Sequence, residues 1–438
     1  MAPGPINRHN KTRGDRRVRG GRGRLALALL AALGPASARA SGPLPGPGEP
    51  VKTSGYTIDF FQGPVLDSVR VTSLSGAYAP IAEGVEGMHV NTAAPAVRPL
   101  YSYRSTDYDL SISFTSPGAL KNTDFDNNGV PGFVYSTFSF TTLGGLLQLG
   151  PWGLGLVVSS QRYTVGQDQQ GAPDQQIDVQ INKINLQGAR SFFDGQLIGG
   201  LGIRGVTLSM ETSTAGQDPH ELVSITGSAF EAGALWTPHD LPLRAALSLR
   251  PQVKGSVEDK SEAKPDAQGD LIVEGRYLPT TVVLPWEAEL GFAYQLGARP
   301  LNRPWPMTKQ EYLALPRQKL LFTTSFLLSG PVSNAIGVEA FLAQKVERSG
   351  ARPSLTPRAG IEAEPIQGWL QVRAGGYLEP SRYEGKKSRM HGTLGVEAKL
   401  FPWSVFGLLD EDTWWRASGF VDRSSLYLSW GVSVGIWH

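Results

Sequence analysis

From about residue 284 onward, short segments place apolar side chains at every second position, with charged or small residues between them and turn residues separating the segments. Successive side chains of a strand point to opposite faces. Trp286, Ala288, Leu290, Phe292, Tyr294 and Leu296 therefore share one face, and Glu287, Glu289, Gly291, Ala293 and Gln295 share the other. A soluble sandwich would enclose its apolar face in a core. Here the polar face carries carboxylates and arginines in segment after segment, the pattern of a water-facing lumen inside a lipid-facing band.

The same alternation recurs at Leu243–Arg250, at Ile336–Ala343, at Leu370–Gly375, at Leu394–Leu400 and in the final run from Leu426 to Ile436. Inward charges of both signs, Arg244, Arg250, Glu287, Glu289, Glu339, Arg373, Glu397 and Lys399, suit mutual pairing or the holding of a plug more than an ion-selective pore. Strand segments are expected at about 100–115, 133–149, 152–165, 176–192, 195–213, 220–236, 242–258, 284–297, 318–329, 333–346, 354–364, 367–378, 389–401 and 424–437. This gives an all-β chain, a transmembrane antiparallel β-barrel of about 14 strands, an even number as bacterial single-chain barrels have. Short connections such as Leu149-Gly150-Pro151-Trp152 and Gly330-Pro331-Val332-Ser333 alternate with long ones at 259–283 and 298–317, as turns and external loops do. In segment 195–213 the apolar phase slips from odd to even positions, and a bulge near Arg204-Gly205 is the expected cause.

Ahead of these segments, residues 1–40 combine a basic stretch, an apolar run from Leu25 to Leu33 and small-x-small sites at Ala36-Ser37-Ala38 and Ala38-Arg39-Ala40. That is the pattern of a secretory signal, and the apolar run is too short for the ~20 residues a spanning helix needs. Without residues 1–40 the chain has 32 Lys and Arg against 38 Asp and Glu, so its net charge is −6 and the basic pI belongs to the leader. Nucleic acid, which needs a basic stripe, is excluded as a partner. The absence of cysteine excludes disulfides, thiolate metal sites and a lipid-attachment cysteine. Residues 41–50 are a Pro/Gly-rich leader, expected to be extended and mobile. Residues 51–99 are expected to be irregular with one short helix, and 100–438 form the barrel.

Within 51–99, Leu74-Ser75-Gly76-Ala77-Tyr78-Ala79-Pro80-Ile81-Ala82-Glu83-Gly84 is followed by Asn91-Thr92-Ala93-Ala94-Pro95-Ala96. This resembles the N-terminal signature of the FadL-type transport porins for long-chain fatty acids and other hydrophobic compounds. Gly76, Ala77, Tyr78, Ala82, Glu83, Asn91 and Ala93 match it, while Thr92 replaces the usual proline. The signature covers about 25 residues; runs such as Val283–Glu287 and Gly291–Gln295 extend the likeness loosely along the chain. The resemblance implies a small N-terminal hatch inside the lumen, a bacterial outer-membrane location, folding by the barrel-assembly machinery and contact with outer-membrane lipid. It also implies passive uptake of a hydrophobic small-molecule ligand through apolar pockets. Phe341, Trp369 and Tyr377 fall on the inward phase of their segments and are candidate lumenal apolar contacts; the alternative is that they belong to the aromatic girdles at the barrel rims.

Other motifs lack the setting their chemistry needs. Gly431-Val432-Ser433-Val434-Gly435 and Gly200-Leu201-Gly202-Ile203-Arg204-Gly205 mimic a nucleophile elbow and a dinucleotide loop, yet both lie inside alternating strands. Asp124, Asp126 and Asn128, with Gly129, match the first half of a calcium loop, but position 12 is Tyr135 in place of a bidentate Glu. The histidines are scattered, and no cofactor is expected. His391 beside an interior carboxylate is the candidate for a barrel hydrolase, and a general pore or structural outer-membrane protein is the main alternative to the uptake reading. An enzyme is not expected.

Overall fold

The computed structural model describes residues 43–99, 102, 104–117, 124–129, 134–166, 176–213, 220–257, 264–306 and 308–437. The expected signal sequence, residues 1–40, and His438 lie outside them. Fourteen antiparallel strands close into a barrel in chain order, the first pairing with the last from Ser111↔Gly435 to Pro117↔Ser429. They are β1 (Thr106–Pro117), β2 (Val134–Leu149), β3 (Trp152–Gly166), β4 (Gln176–Phe192), β5 (Leu197–Ser213), β6 (His220–Trp236) and β7 (Leu243–Arg250). The second half comprises β8 (Glu287–Leu296), β9 (Leu320–Ser329), β10 (Ser354–Ile366), β11 (Leu370–Glu379), β12 (Arg389–Pro402), β13 (Trp414–Ser424) and β14 (Tyr427–Ile436). Closure removes every sheet edge, which a bilayer core requires because it offers no water to unpaired backbone groups.

The strand count agrees with the expectation, but two of its members differ. Segment 333–346 is not a wall strand. It belongs to the connection 330–353, which holds a strand at Ala335–Ile336, a helix at Val338–Leu342 and a strand at Arg348–Ser349. Its apolar residues are buried all round, so their alternation reflects packing within the connection and not a lipid face. The strand it displaces from the count is β13, whose outward positions include Ala417 and Gly419 and so carry a weak apolar signal. Segment 242–258 also divides. The wall ends at Arg250, and after Pro251 the strand Val253–Ser256 leaves the barrel.

Two ends are distinct. At the terminal end, where β1 begins and β14 finishes, lie the turns at 150–151 and 193–196 and the connections 297–319 and 403–413. At the loop end lie the longer connections 251–286 and 330–353, so Gly330-Pro331 opens a long excursion where a short turn was expected. There the short strand Thr57–Asp59 pairs in parallel with Thr281–Leu284 on one side and Ala335–Ile336 on the other. Residues 43–50, expected to be a mobile leader, are tied to the 330–353 connection by bonds such as Gly48 N to Val346 O at 2.8 Å. Segment 51–99 also contains two short helices, Val69–Ser73 and Gly84–Gly87, and a 3-10 turn at Ala94–Ala96, more regular structure than the single helix expected.

No bulge exists at Arg204-Gly205. The β4–β5 register runs unbroken from Gln176↔Ser213 to Phe192↔Leu197, and the β5–β6 register shifts only between Met210 and Glu211. The phase slip in the sequence has another origin. Along β5 the outward face reads Leu197, Leu201 and Ile203 and then Thr207, Ser209 and Glu211, while the inward face reads Gly200, Gly202 and Arg204 and then Val206, Leu208 and Met210. The strand keeps its phase and the surroundings exchange. The same boundary crosses neighbouring strands as an outward polar row, Ser160 Oγ to Asn182 Oδ1 at 2.7 Å and Asn182 Nδ2 to Thr207 Oγ1 at 3.3 Å. The apolar outward stretch Leu197–Gly205 matches the ~9–11 residues of a tilted strand crossing hydrocarbon.

This boundary predicts opposite outcomes for one substitution at two sites on β5. Leu201→Arg, at a position 70% exposed in the belt, is expected to cost ~2–4 kcal/mol in lipid vesicles, and Thr207→Arg under ~1 kcal/mol. Denaturant titration in vesicles measures both; equal losses would refute the boundary.

Candidate functional site

Inside the wall, residues 65–97 are bound all the way round by groups from the strands. On the β3–β6 side the bonds are neutral. Thr92 Oγ1 donates to Gly200 O at 2.9 Å, Asn91 Nδ2 to Ala234 O at 3.3 Å and Gln187 Nε2 to Met88 O at 2.6 Å. Glycine is needed at Gly200 and Gly233, because a Cβ there would overlap the backbone of Thr92 or the side chain of Asn91. That close approach explains the run that mimics a dinucleotide loop.

On the β10–β13 side the bonds are ionic. The Arg70 guanidinium lies against Glu362 in two-fold contact, Nε and Nη2 each 3.0 Å from a carboxylate oxygen. Glu362 is fully buried and also receives Arg373 Nε at 2.5 Å and the Lys319 ammonium. The chain continues from Arg373 to Glu397 at 3.2 Å, from Glu397 to Arg416 at 2.7 Å, and from Arg416 back to Glu86 of the N-terminal segment at 2.8 Å. Such a network persists out of water because Glu362 and Glu397, which link its strands, each meet more than one cation.

The residues singled out by the signature occupy the junction of these two sides. Gly76 takes φ +76° and Ala82 +47°, backbone turns that bring Tyr78 and Glu83 together. The Tyr78 hydroxyl accepts from Arg70 Nη1 at 2.9 Å and donates to Glu83 O at 3.0 Å. Glu83 Oε1 receives Arg244 Nη1 of β7 at 3.0 Å. Ala77 O accepts from Thr323 of β9, Asn91 Oδ1 accepts from Ala93 N, and Ala93 is fully buried. At Thr92, where the signature has proline, a hydroxyl holds the wall.

The three candidate apolar contacts separate. Phe341 is fully buried in the helix Val338–Leu342, not on a strand, and packs in the apolar cluster at the loop end. Tyr377 is buried in β11 within a polar network: its hydroxyl donates to Asp422 at 2.8 Å and accepts from Val65 N at 3.2 Å. Trp369 is half exposed at the terminal-end rim, edge-on to Trp414 at 6.0 Å. That is a girdle position, and Lys399 lies over both rings. Glu339, expected on a wall strand, sits on the same helix as Phe341.

The His391 imidazole lies between Glu379 (2.6 Å) and Asp422 (2.9 Å) and stacks on Tyr377 at 4.2 Å. Both ring nitrogens are engaged by carboxylates, so neither is left to activate a hydroxyl. Ser433 of the elbow-like run faces inward and pairs with Ser418 at 2.6 Å. In the calcium-like loop, Asp124 accepts from the backbone of Asn128 and Gly129, Asp126 accepts from Asn128 N and the Tyr383 hydroxyl, and Asn128 Nδ2 donates to Glu339. These oxygens are turned onto protein donors, and no metal-holding group of three or more His, Asp or Glu side chains occurs among the described residues.

What the sequence reading missed is the inward wall of β3–β6 toward the loop end. Tyr163, Ile181, Val206, Leu208, Met210 and Ile225 face the lumen there, in one cluster with Tyr56, Phe60 and Phe138. At its foot stand Lys183 and Arg204. Lys183 Nζ meets Gln62 Oε1 at 3.0 Å, Arg204 donates to Pro251 O at 2.9 Å, and Arg204 Nε is buried with no partner. The other lumenal arginines named above all touch carboxylates; these two cations do not. The signal is legible as the even-numbered apolar run on β5, the same run that mimics a bulge.

Among solved structures the fold is similar to the TodX deltaS2S3 mutant monoaromatic hydrocarbon channel, with TM-score 0.50 and 11% identity over 84% of this chain and 98% of that one. It also matches the P. putida toluene transporter TodX (TM-score 0.49, 11% identity, 88% and 98% covered) and a Pseudomonas aeruginosa FadL homologue (TM-score 0.46, 12% identity, 89% and 99% covered). At these identities the likeness is one of fold. No protein-family model and no curated protein matches the sequence.

Glu362→Gln keeps the side-chain shape but leaves three cations facing a neutral amide, an expected loss of ~3–5 kcal/mol. Hydrogen exchange should show the loss first in residues 69–86; unchanged protection there would mean the ion chain does not hold the segment. A second prediction concerns the loop end. Burial, helped by the Asp124 and Glu347 charges, pushes the Asp126 carboxyl up to about 7. The folded loop therefore holds a proton that the opened loop releases, so its stability is greatest below the ordinary carboxylate range and is lost as pH rises through about 7. Amide protection at Asn128, corrected for intrinsic exchange, should fall roughly tenfold or more between pH 5 and 8. In Asp126→Asn it should stay level.

Proposed function

We propose that this chain is a passive uptake channel of a bacterial outer membrane for hydrophobic small molecules, with a long-chain fatty acid as the type of cargo. One observation carries the reading: an apolar lumenal wall on β3–β6 ends at two cations, Lys183 and Arg204, which feel the Glu287 charge but make no direct ion pair among the described residues. A general pore has no use for an oily inner wall. The wall is covered by Tyr56, Phe60 and the loop-end connections; an acyl chain that displaces them gains ~0.8 kcal/mol per methylene buried against it, and its carboxylate would meet the two cations at the foot. Residues 51–99 act in this reading as a hatch, held within the lumen until cargo passes. The named channels for monoaromatic hydrocarbons and toluene, which share the fold, support the broad cargo class. No chemical step is involved, so the lumenal histidine and serines serve structure only.

Binding of saturated fatty acids of increasing length to the detergent-solubilised protein tests the reading. Affinity should rise about fourfold per methylene until the wall is filled. Leu208→Glu should abolish that dependence, and Lys183→Gln should weaken a fatty acid but not the fatty alcohol of equal length. A protein that ignores chain length, and shows the same affinity in Leu208→Glu, would return the choice to a general pore.

A further inference from the structure

The connection 403–413 between β12 and β13 holds two large apolar side chains in the open, Phe406 90% and Leu408 82% exposed. This is not a loose loop. Leu409 N donates to Ser404 O at 2.9 Å, Trp403 N to Thr413 O at 3.0 Å, and Asp410 N to the Tyr108 hydroxyl at 3.0 Å. Arg104 grips Asp410 and Asp412 from the other side. Val405 and Phe406 adopt φ of 50° and 58°, a left-handed conformation that costs a β-branched or aromatic residue energy. The chain is thus bent, at a cost, into a shape that presents Phe406 and Leu408 outward and fixes them there.

What covers them follows from continuity with the belt. Trp415 lies on the outward phase of β13, its ring is 5.8 Å from Trp403, and Trp403 is 5.7 Å from Phe406. Phe401, 58% exposed on the last outward turn of β12, flanks the same row. An unbroken apolar path therefore runs from the lipid-facing wall through three aromatic rings to the tip of the loop. Of the acidic residues that follow, Asp410 and Asp412 are turned away onto Arg104, and Glu411 between them is exposed. Aromatic side chains with a polar edge are favoured at the headgroup level of a bilayer, and apolar residues on a polar loop gain by dipping beneath it.

We propose that residues 403–409 form an interfacial anchor, with Phe406 and Leu408 inserted into the phospholipid leaflet at the terminal end of the barrel. The anchor fixes the depth and tilt of the β12–β14 sector, where β14 is short and the loop spans its end to reach β1. The proposal rests on the barrel spanning a bilayer and is independent of the cargo.

The chain has no cysteine, so Phe406→Cys and Leu408→Cys each give a single labelling site on the full mature protein. An environment-sensitive nitrobenzoxadiazole probe is attached, and the protein is placed in phosphatidylethanolamine–phosphatidylglycerol vesicles with or without nitroxide-bearing lipid. Leu394→Cys, at a belt position 65% exposed, and Gln268→Cys in the loop-end connection serve as lipid and water references. Blue-shifted emission quenched by nitroxide near the headgroups is the expected result. Water-like emission matching Gln268→Cys would overturn the anchor. Blue emission without nitroxide quenching, or emission that grows with protein density, would mean that a protein surface covers the loop and would overturn it equally. Retained heat-modifiable migration in gels checks that each variant is folded.

Discussion

Charge that has been taken out of water and must be neutralised inside the wall governs the interior of this barrel. Glu362, fully buried on β10, would carry a desolvation penalty of several kcal/mol alone. It is tolerable because Arg70, Arg373 and Lys319 converge on it, and Arg70 comes from the N-terminal segment. The wall and the segment within it are therefore not separable parts: each supplies the counter-charges of the other. Glu83 with Arg244, Glu86 with Arg416, and Asp109 with the backbone of Val85 repeat the arrangement around the circumference.

Glycine on the inner wall marks close approach of the N-terminal segment on both sides. On the ionic side Gly360, Gly375 and Gly395 remove the Cβ atoms that would meet Leu74, Ser75 and Ser73, between the long charged side chains, and on the β3–β6 side Gly200 and Gly233 do the same for Thr92 and Asn91. Toward the loop end the inner surface of the same strands turns apolar and the outer surface turns polar. These strands project beyond the hydrocarbon band, where water bathes the outside and the enclosed loops form a small core.

Much of this was legible in the chain. Period-two alternation alone indicates a barrel, and Arg244, Arg250, Glu289, Arg373 and Glu397 all lie inside as alternation requires, because phase is a local property of a strand. Failures came where phase was preserved but the solvent changed. The even-numbered run Val206, Leu208, Met210 mimics a bulge, since a sequence records side-chain polarity and not whether oil or water faces it. The run Ile336–Leu342 mimics a strand because burial on all sides erases the period of a helix. β13 leaves little trace in the sequence because Ala417 and Gly419 supply almost no apolar signal to alternate with. Arg70 and Glu362 lie 292 residues apart, and no local pattern could have joined them.

The unequal character of the two sides sets the direction in which the interior can loosen. Releasing Asn91, Thr92 and Met88 from β4–β6 exchanges a few neutral hydrogen bonds for bonds to water, at about 1 kcal/mol each. Releasing Arg70 or Glu86 from β10–β13 strands buried charge at several times that cost. In the proposed hatch reading, motion of the N-terminal segment therefore begins at the neutral side, with the ionic side as its hinge. Because the neutral side lies directly beneath the apolar wall and the cations Lys183 and Arg204, the weakest seam in the lumen and this oily surface share the same strands. In the proposed uptake reading, a path that opens there keeps an apolar cargo in contact with carbon while the ion chain stays shut, and the barrel need not admit water to its charged half.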